Sequence, residues 1–250
     1  MLISGLFWVS YQQNRVFVVI LKKNYLAVIS ILLITIITAS VCFGALYKKP
    51  IGNASANNVK IVLDAGHGGV DGGVTGVLTG VKESDLNLKV VKKLESLLIN
   101  AGFSVVLTRV TDAGLYGVSS SSLKKKDMEK RRSIIKKAKP NLVVSIHMNK
   151  YSLQTRRGAQ VFYKPNDERG KLLAQCVQDS FNQMQECVKQ SNILTGDYYI
   201  LNCTEYPSII AECGFLSNPE DEALLIKEEY QESIAYSIFK GIVAYLTKIK

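Results

Sequence analysis

His67 and His147 are the only histidines in the chain, and each stands at the end of a run that reads as a β-strand. His67 follows Ile61-Val62-Leu63-Asp64 inside a glycine-dense turn, and His147 ends Leu142-Val143-Val144-Ser145-Ile146. Glu83 opens the helix after the glycine-rich loop, and Glu212 nearly closes a third apolar run at 207–213. Ligands bind at the carboxyl ends of strands in parallel α/β sheets, so these side chains are expected to converge on one edge. Two neutral imidazoles and a carboxylate are a donor set of catalytic zinc sites, which keep one position open for water. A metal on His67, Glu83 and His147 would lower that water's pKa toward ~7 and polarise a carbonyl, as amide hydrolysis requires. A further carboxylate must carry the proton from the water to the leaving amine; Glu212 is the candidate, because it stands on a different strand from the ligands. Plainer readings exist. A histidine at a strand end is commonly a structural hydrogen-bonder, and a glutamate in a first helical turn is favoured by the helix dipole alone. Glu212 resists such a reading, since a carboxylate after Ile209-Ile210-Ala211 is costly to bury without purpose.

The elements that must position these groups alternate along the chain. Strands are predicted at 59–64, 103–108, 141–147, 158–163 and 207–213, and helices at 84–99, 170–184 and the C-terminus. Leu86, Val90, Val91, Leu94, Leu97 and Leu98 fall on one helical face, and Gly102 sits where a left-handed cap belongs. The run 141–147 is too continuously apolar for a half-exposed strand and suits a central one. Alternating strands and helices imply an α/β domain with a largely parallel sheet. A chain of 250 residues has room for one full domain of this kind.

Residues 25–47 carry no charge and are expected to be helical for roughly 34 Å, enough to cross a ~30 Å hydrocarbon core. An uncleaved anchor is preferred to a cleaved signal peptide, because the apolar run is long for the latter. The expected organisation is a short segment 1–24, the anchor 25–47, a linker 48–58 and a catalytic domain 59–250. The net charge of +10 is uneven: residues 124–139 hold nine basic and two acidic side chains. That stretch is either a solvated helix face or a patch for an anionic polymer or bilayer. Nucleic acid is excluded as a partner, since no interleaved aromatic residues or binding motif accompany the charges. The five cysteines have no zinc-ribbon spacing, and their disulfide state is left open.

Four ordered blocks carry a resemblance: Leu63-Asp64-Ala65-Gly66-His67-Gly68-Gly69, Glu83, Ser145-Ile146-His147-Met148-Asn149, and Glu212-Cys213-Gly214-Phe215-Leu216-Ser217-Asn218. From about residue 59 to 250 the chain resembles the type-3 zinc N-acetylmuramoyl-L-alanine amidases. The resemblance implies an α/β fold around a mostly parallel six-stranded sheet flanked by helices. It implies one Zn²⁺ per chain on His67, Glu83 and His147, with Glu212 as the catalytic carboxylate. Asn149 and Arg132 are carried as supporting candidates. The implied reaction is hydrolysis of the amide between N-acetylmuramic acid and L-alanine in peptidoglycan. The anchor, the bare catalytic domain and Gly158-Ala159-Gln160-Val161-Phe162-Tyr163 are similar to the germination-specific, CwlD-like branch, which acts on spore cortex so that muramic-δ-lactam can form. The charge-free run implies membrane attachment through the N-terminal helix, or secretion, with the catalytic domain outside the cytoplasm; the branch adds a forespore or spore-envelope location, and an accessory or activating protein is carried as a hypothesis. A vegetative autolysin or cell-separation amidase is the alternative enzyme, and a catalytically inactive peptidoglycan-binding protein the alternative outside enzymes.

Overall fold

The computed structural model describes residues 28, 30–32, 34–35, 58–117, 122–187 and 189–249. The chain divides into two compact units, Met1–Ala54 and Ser55–Lys250. In the first, Val28, Ser30, Ile31, Leu32, Ile34 and Thr35 are helical. The expected anchor at 25–47 otherwise lies outside the described residues, as do the segment 1–24 and nearly all of the linker. Among the described residues no helix is long and apolar enough to cross a membrane.

In the second unit six strands form one sheet: β1 (Lys60–Ala65), β2 (Ser104–Leu107), β3 (Leu142–Asn149), β4 (Gln160–Tyr163), β5 (Leu194–Thr195) and β6 (Ser208–Phe215). Their order across the sheet is β2-β1-β3-β6-β4-β5. Among the described residues six helices accompany them: α1 (Glu83–Asn100), α2 (Leu123–Ala138), α3 (Glu168–Asn182), α4 (Tyr199–Asn202), α5 (Pro219–Leu225) and α6 (Glu228–Lys248). The six-stranded α/β architecture agrees with the expectation, but the sheet is mixed rather than mostly parallel. β4 pairs antiparallel with β6, while the other pairings are parallel. The cause is the connection 150–159, which contains no helix to carry the chain back across the sheet. β4 therefore starts at the end where β3 stops and runs the other way.

Alternate residues of a strand face opposite sides, and here the two sides are covered unequally. Ile61, Leu63, Leu142, Val144, Ile146, Ile209 and Ala211 join a large core with the buried faces of α1, α3 and α6. Val62, Val143 and Ile210 face the other way, into a small cluster with Ile135 of α2 and Ile200 and Leu201 of α4. Asp64, Ser145, His147 and Glu212 are in step with this second set, so they emerge on the thinly covered face. The chain leaves β1 toward β2 on one side and resumes at β3 on the other. Such a reversal opens a crevice beyond the strands' carboxyl ends, and the two histidines flank it.

Candidate metal centre

His67, Glu83 and His147 come together: each offers a ligand atom, and these atoms all lie within 4.8 Å of one another. Glu83 Oε1 is 3.3 Å from His67 Nε2 and 2.9 Å from His147 Nδ1. Ligands ~2.0–2.1 Å from a tetrahedral zinc ion stand roughly 3.3 Å apart, so this spacing suits such an ion. A second observation agrees. Among the described residues Glu212 Oε2 is buried and completes no hydrogen bond, and His67 Nδ1 faces Asp71 Oδ1 at 3.0 Å, which leaves Nε2 for a metal. The donor set therefore fits a divalent metal.

Local structure explains why these side chains stand where they do. His67 has φ 59°, in the left-handed region that a β-carbon disfavours. Two buried arginines hold that conformation. Arg131 donates from Nη2 to the His67 carbonyl at 2.6 Å and from Nη1 to the Ala65 carbonyl at 2.7 Å. Arg109 donates to the Ala65 and Gly66 carbonyls, each at 2.9 Å, and to the Ser84 carbonyl at 2.8 Å. Asp64 underpins the clamp, accepting from Arg131 at 2.5 Å and from the Thr108 and Ser145 hydroxyls at 2.6 Å each. Burial alone would raise the Asp64 pKa, but Arg131 and the two hydroxyls outweigh it and lower it to about 2. Glu83 is aimed by the Val74 amide, which donates to Oε2 at 2.8 Å, and by the Met148 amide at 3.2 Å. Gly66 leaves room for the His147 ring, because a β-carbon there would fall 2.2 Å from Cε1.

The electrostatics separate the two glutamates. Burial opposes ionisation of both. For Glu83 the adjoining His147 and His67 outweigh burial and hold the carboxyl below its usual range. In Glu212 burial prevails: the pKa rises to about 7, with the two histidines lowering it and Glu83 raising it. His67 is raised to about 9, because Glu83 and Asp71 favour its charged form more than burial opposes it. Two carboxyls with pKa values pushed apart are an arrangement suited to one fixed anion and one proton carrier.

All four expected groups line one cavity of about 530 Å³, with Asn149, Tyr198 and Lys124 on its wall. Asn149 sits at the register shift between β3 and β6. Arg132 does not belong to the wall. It is exposed on α2, and the buried arginine is its neighbour Arg131. The signal that separates them is helical spacing: Asp127, Arg131 and Ile135 form the buried stripe four residues apart. Sequence reasoning also missed Glu222 of α5, whose carboxylate accepts from the Leu78 and Thr79 amides at 2.6 and 2.8 Å. It thereby fixes the loop that leads into Glu83.

Comparison with known proteins gives a consistent picture. A family model described as N-acetylmuramoyl-L-alanine amidase matches residues 61–244. The germination-specific N-acetylmuramoyl-L-alanine amidase of Bacillus subtilis is 35% identical over 192 residues, covering 75% of this chain and 80% of that protein. The CwlD amidase of Clostridioides difficile, solved in complex with the GerS lipoprotein, matches with a TM-score of 0.74 at 35% identity. That match covers 76% of this chain and all of the other. The catalytic domain of CwlV, an amidase from Bacillus (Paenibacillus) polymyxa, matches with a TM-score of 0.67 at 29% identity, over 76% of this chain and 98% of that one.

Proposed function

The chain belongs to the N-acetylmuramoyl-L-alanine amidase family, and from that premise we propose that it is a zinc enzyme of the spore cortex, with His67, Glu83 and His147 as ligands and Glu212 as proton carrier. The observation that carries the assignment is the convergence of the three donors beside a buried, unpartnered Glu212 oxygen. When bound, the metal supplies polarisation of the scissile carbonyl and a more acidic water. Glu212 accepts the proton that water loses as it adds to the muramoyl carbonyl carbon. It returns that proton to the alanine nitrogen as the C–N bond breaks, leaving a lactyl carboxylate and a free amine. A carboxyl with a pKa near neutrality suits both halves of this transfer. Arg131 and Arg109 take no part in the proton's path; they keep His67 in its left-handed turn.

The cortex assignment is supported by the germination-specific relative in Bacillus subtilis. An extracytoplasmic location and attachment through 25–47 are supported by the charge-free run in the sequence. An accessory protein is proposed because the C. difficile relative was solved with a lipoprotein partner. The test is mass spectrometry of muropeptides from spores with and without this protein. The expected change is loss of free muramoyl carboxylates and muramic-δ-lactam in the deletion. An unchanged cortex with altered vegetative wall would move the enzyme to cell separation, and no change in either would overturn the cortical role.

A further inference from the structure

The outward face of α2 keeps its basic excess in the fold, because the one arginine and the one acid that are buried, Arg131 and Asp127, pair with each other. Its two acidic residues are unequally placed: Asp127 is buried and bound to Arg131 and the Leu115 amide, leaving Glu129 as the exposed one. Glu129 approaches Lys125 at 4.0 Å. Lys130, Arg132, Lys136 and Lys137 are all exposed. A solvated helix ordinarily gains from acidic partners three or four residues away, and like charges at that spacing cost stability. Arg132 and Lys136 stand four apart, and the first turn of α2 holds lysines and no acid, the reverse of what the helix dipole favours. At its first turn this charge pattern is unfavourable to the helix, whereas Lys136 and Lys137 in the last turn suit the dipole.

The ridge is continuous with the candidate site. At one end of α2, Leu123 and Lys124 line the cavity that holds His67, Glu83, His147 and Glu212. At the other, Lys136 lines a second groove of about 560 Å³ with Lys164, Asn202 and Glu205. Twelve residues of helix separate Lys124 from Lys136, roughly 18 Å at ~1.5 Å per residue. The occupant follows from the reaction. Each amide hydrolysed leaves a lactyl carboxylate on the glycan strand, and stem peptides still attached carry carboxylates of their own, so the strand presents anionic groups both before and after each cut. We propose that the outward face of α2 is a binding track for the anionic glycan strand, leading from the catalytic cavity and retaining the strand between cuts. This rests on the amidase reading of the site and adds the surface on which its polymer is held.

The experiment compares the full chain with its Lys130→Ser/Lys136→Ser/Lys137→Ser variant on intact peptidoglycan and on a small soluble muramoyl-peptide. Cosedimentation with peptidoglycan and with anionic phospholipid vesicles is measured in parallel. The expected result is about a tenfold fall in kcat/KM on the polymer at low salt, with the gap closing as salt screens the charges. Hydrolysis of the small substrate should stay within about twofold, which also shows that the variant is folded, because screened surface charges act on the polymer and not on the chemistry. Equal losses on both substrates, or unchanged polymer cleavage and cosedimentation, would overturn the track. So would a loss of vesicle binding with polymer binding intact, which would make the ridge a membrane surface. Polymer that the native chain binds through this ridge but never cleaves would count against the amidase reading alone.

Discussion

Glu212 is held where burial and charge pull in opposite directions. The β6 backbone places it on the thinly covered face, opposite His147 in the β3–β6 register, and one carboxylate oxygen finds no partner. A proton carrier can be separated experimentally from a ligand. Glu212→Gln preserves shape but removes the base, so the rate should fall by roughly 10²–10⁴, the range typical of general acid–base catalysis. Zinc content and melting temperature should stay near those of the unmodified protein. A variant that keeps its rate would make Glu212 structural, while one that loses its zinc would place it among the ligands and displace Glu83. Tyr198 belongs to the same neighbourhood: its ring packs edge-on to Phe162 at 5.6 Å, and burial and the nearby Glu212 raise its pKa.

At the scale of elements, the loop after β1 and the end of β3 are fitted to each other at Gly66. A β-carbon there would lie 2.2–2.6 Å from three atoms of the His147 ring. Gly66→Ala should therefore push the imidazole out of line, costing about 1–3 kcal/mol in overpacking. Its zinc stoichiometry, read by elemental analysis, should fall well below one per chain; full loading would show that the ring can move without harm. The long elements were legible in the sequence for physical reasons. β1, β3 and β6 are buried on both faces and read as unbroken apolar runs, and α1 repeats its apolar residues at helical spacing. β5 has two residues and α4 has four, too short for any periodicity to develop. The reversed direction of β4 was hidden because strand polarity is set by the connection, not by the strand's own residues. His67, Glu83, His147 and Glu212 were visible as rare chemical groups at element ends. Arg131 was not, since two adjacent arginines look alike until helical phase is counted.

At the scale of the molecule, the buried Asp64–Arg131 pair ties β1 to α2 across the thin face of the sheet. Its contribution to stability has a calculable pH dependence. The folded pKa of Asp64 is lowered to about 2 from the 3.8 of an ordinary aspartate. A depressed carboxylate stabilises the fold fully above the unfolded value, and that contribution is lost as pH falls through the folded one. The shift corresponds to about 2 kcal/mol. Asp64→Asn should destabilise the domain by about 2 kcal/mol at neutral pH, because it removes one of the two carboxylates that balance the buried Arg131 guanidinium and leaves Asp127 as the other. Denaturant melts of both proteins between pH 7 and 2 should show the gap narrowing below pH 4. A constant gap would mean that Asp64 does not titrate in this window.

From residue 65 to residue 67 the two arginines grip the turn through the backbone oxygens of Ala65, Gly66 and His67, with Asp64 the side chain that anchors Arg131 at its edge. A grip on backbone oxygens counts residues and does not read them. Replacement of a side chain in the turn leaves every gripped atom in place, provided the newcomer fits. Removal of one residue moves all of them at once. What must be preserved here is therefore arithmetic, the number of peptide units between Asp64 and Gly68, and length variants of this turn should be far rarer among working amidases than spelling variants.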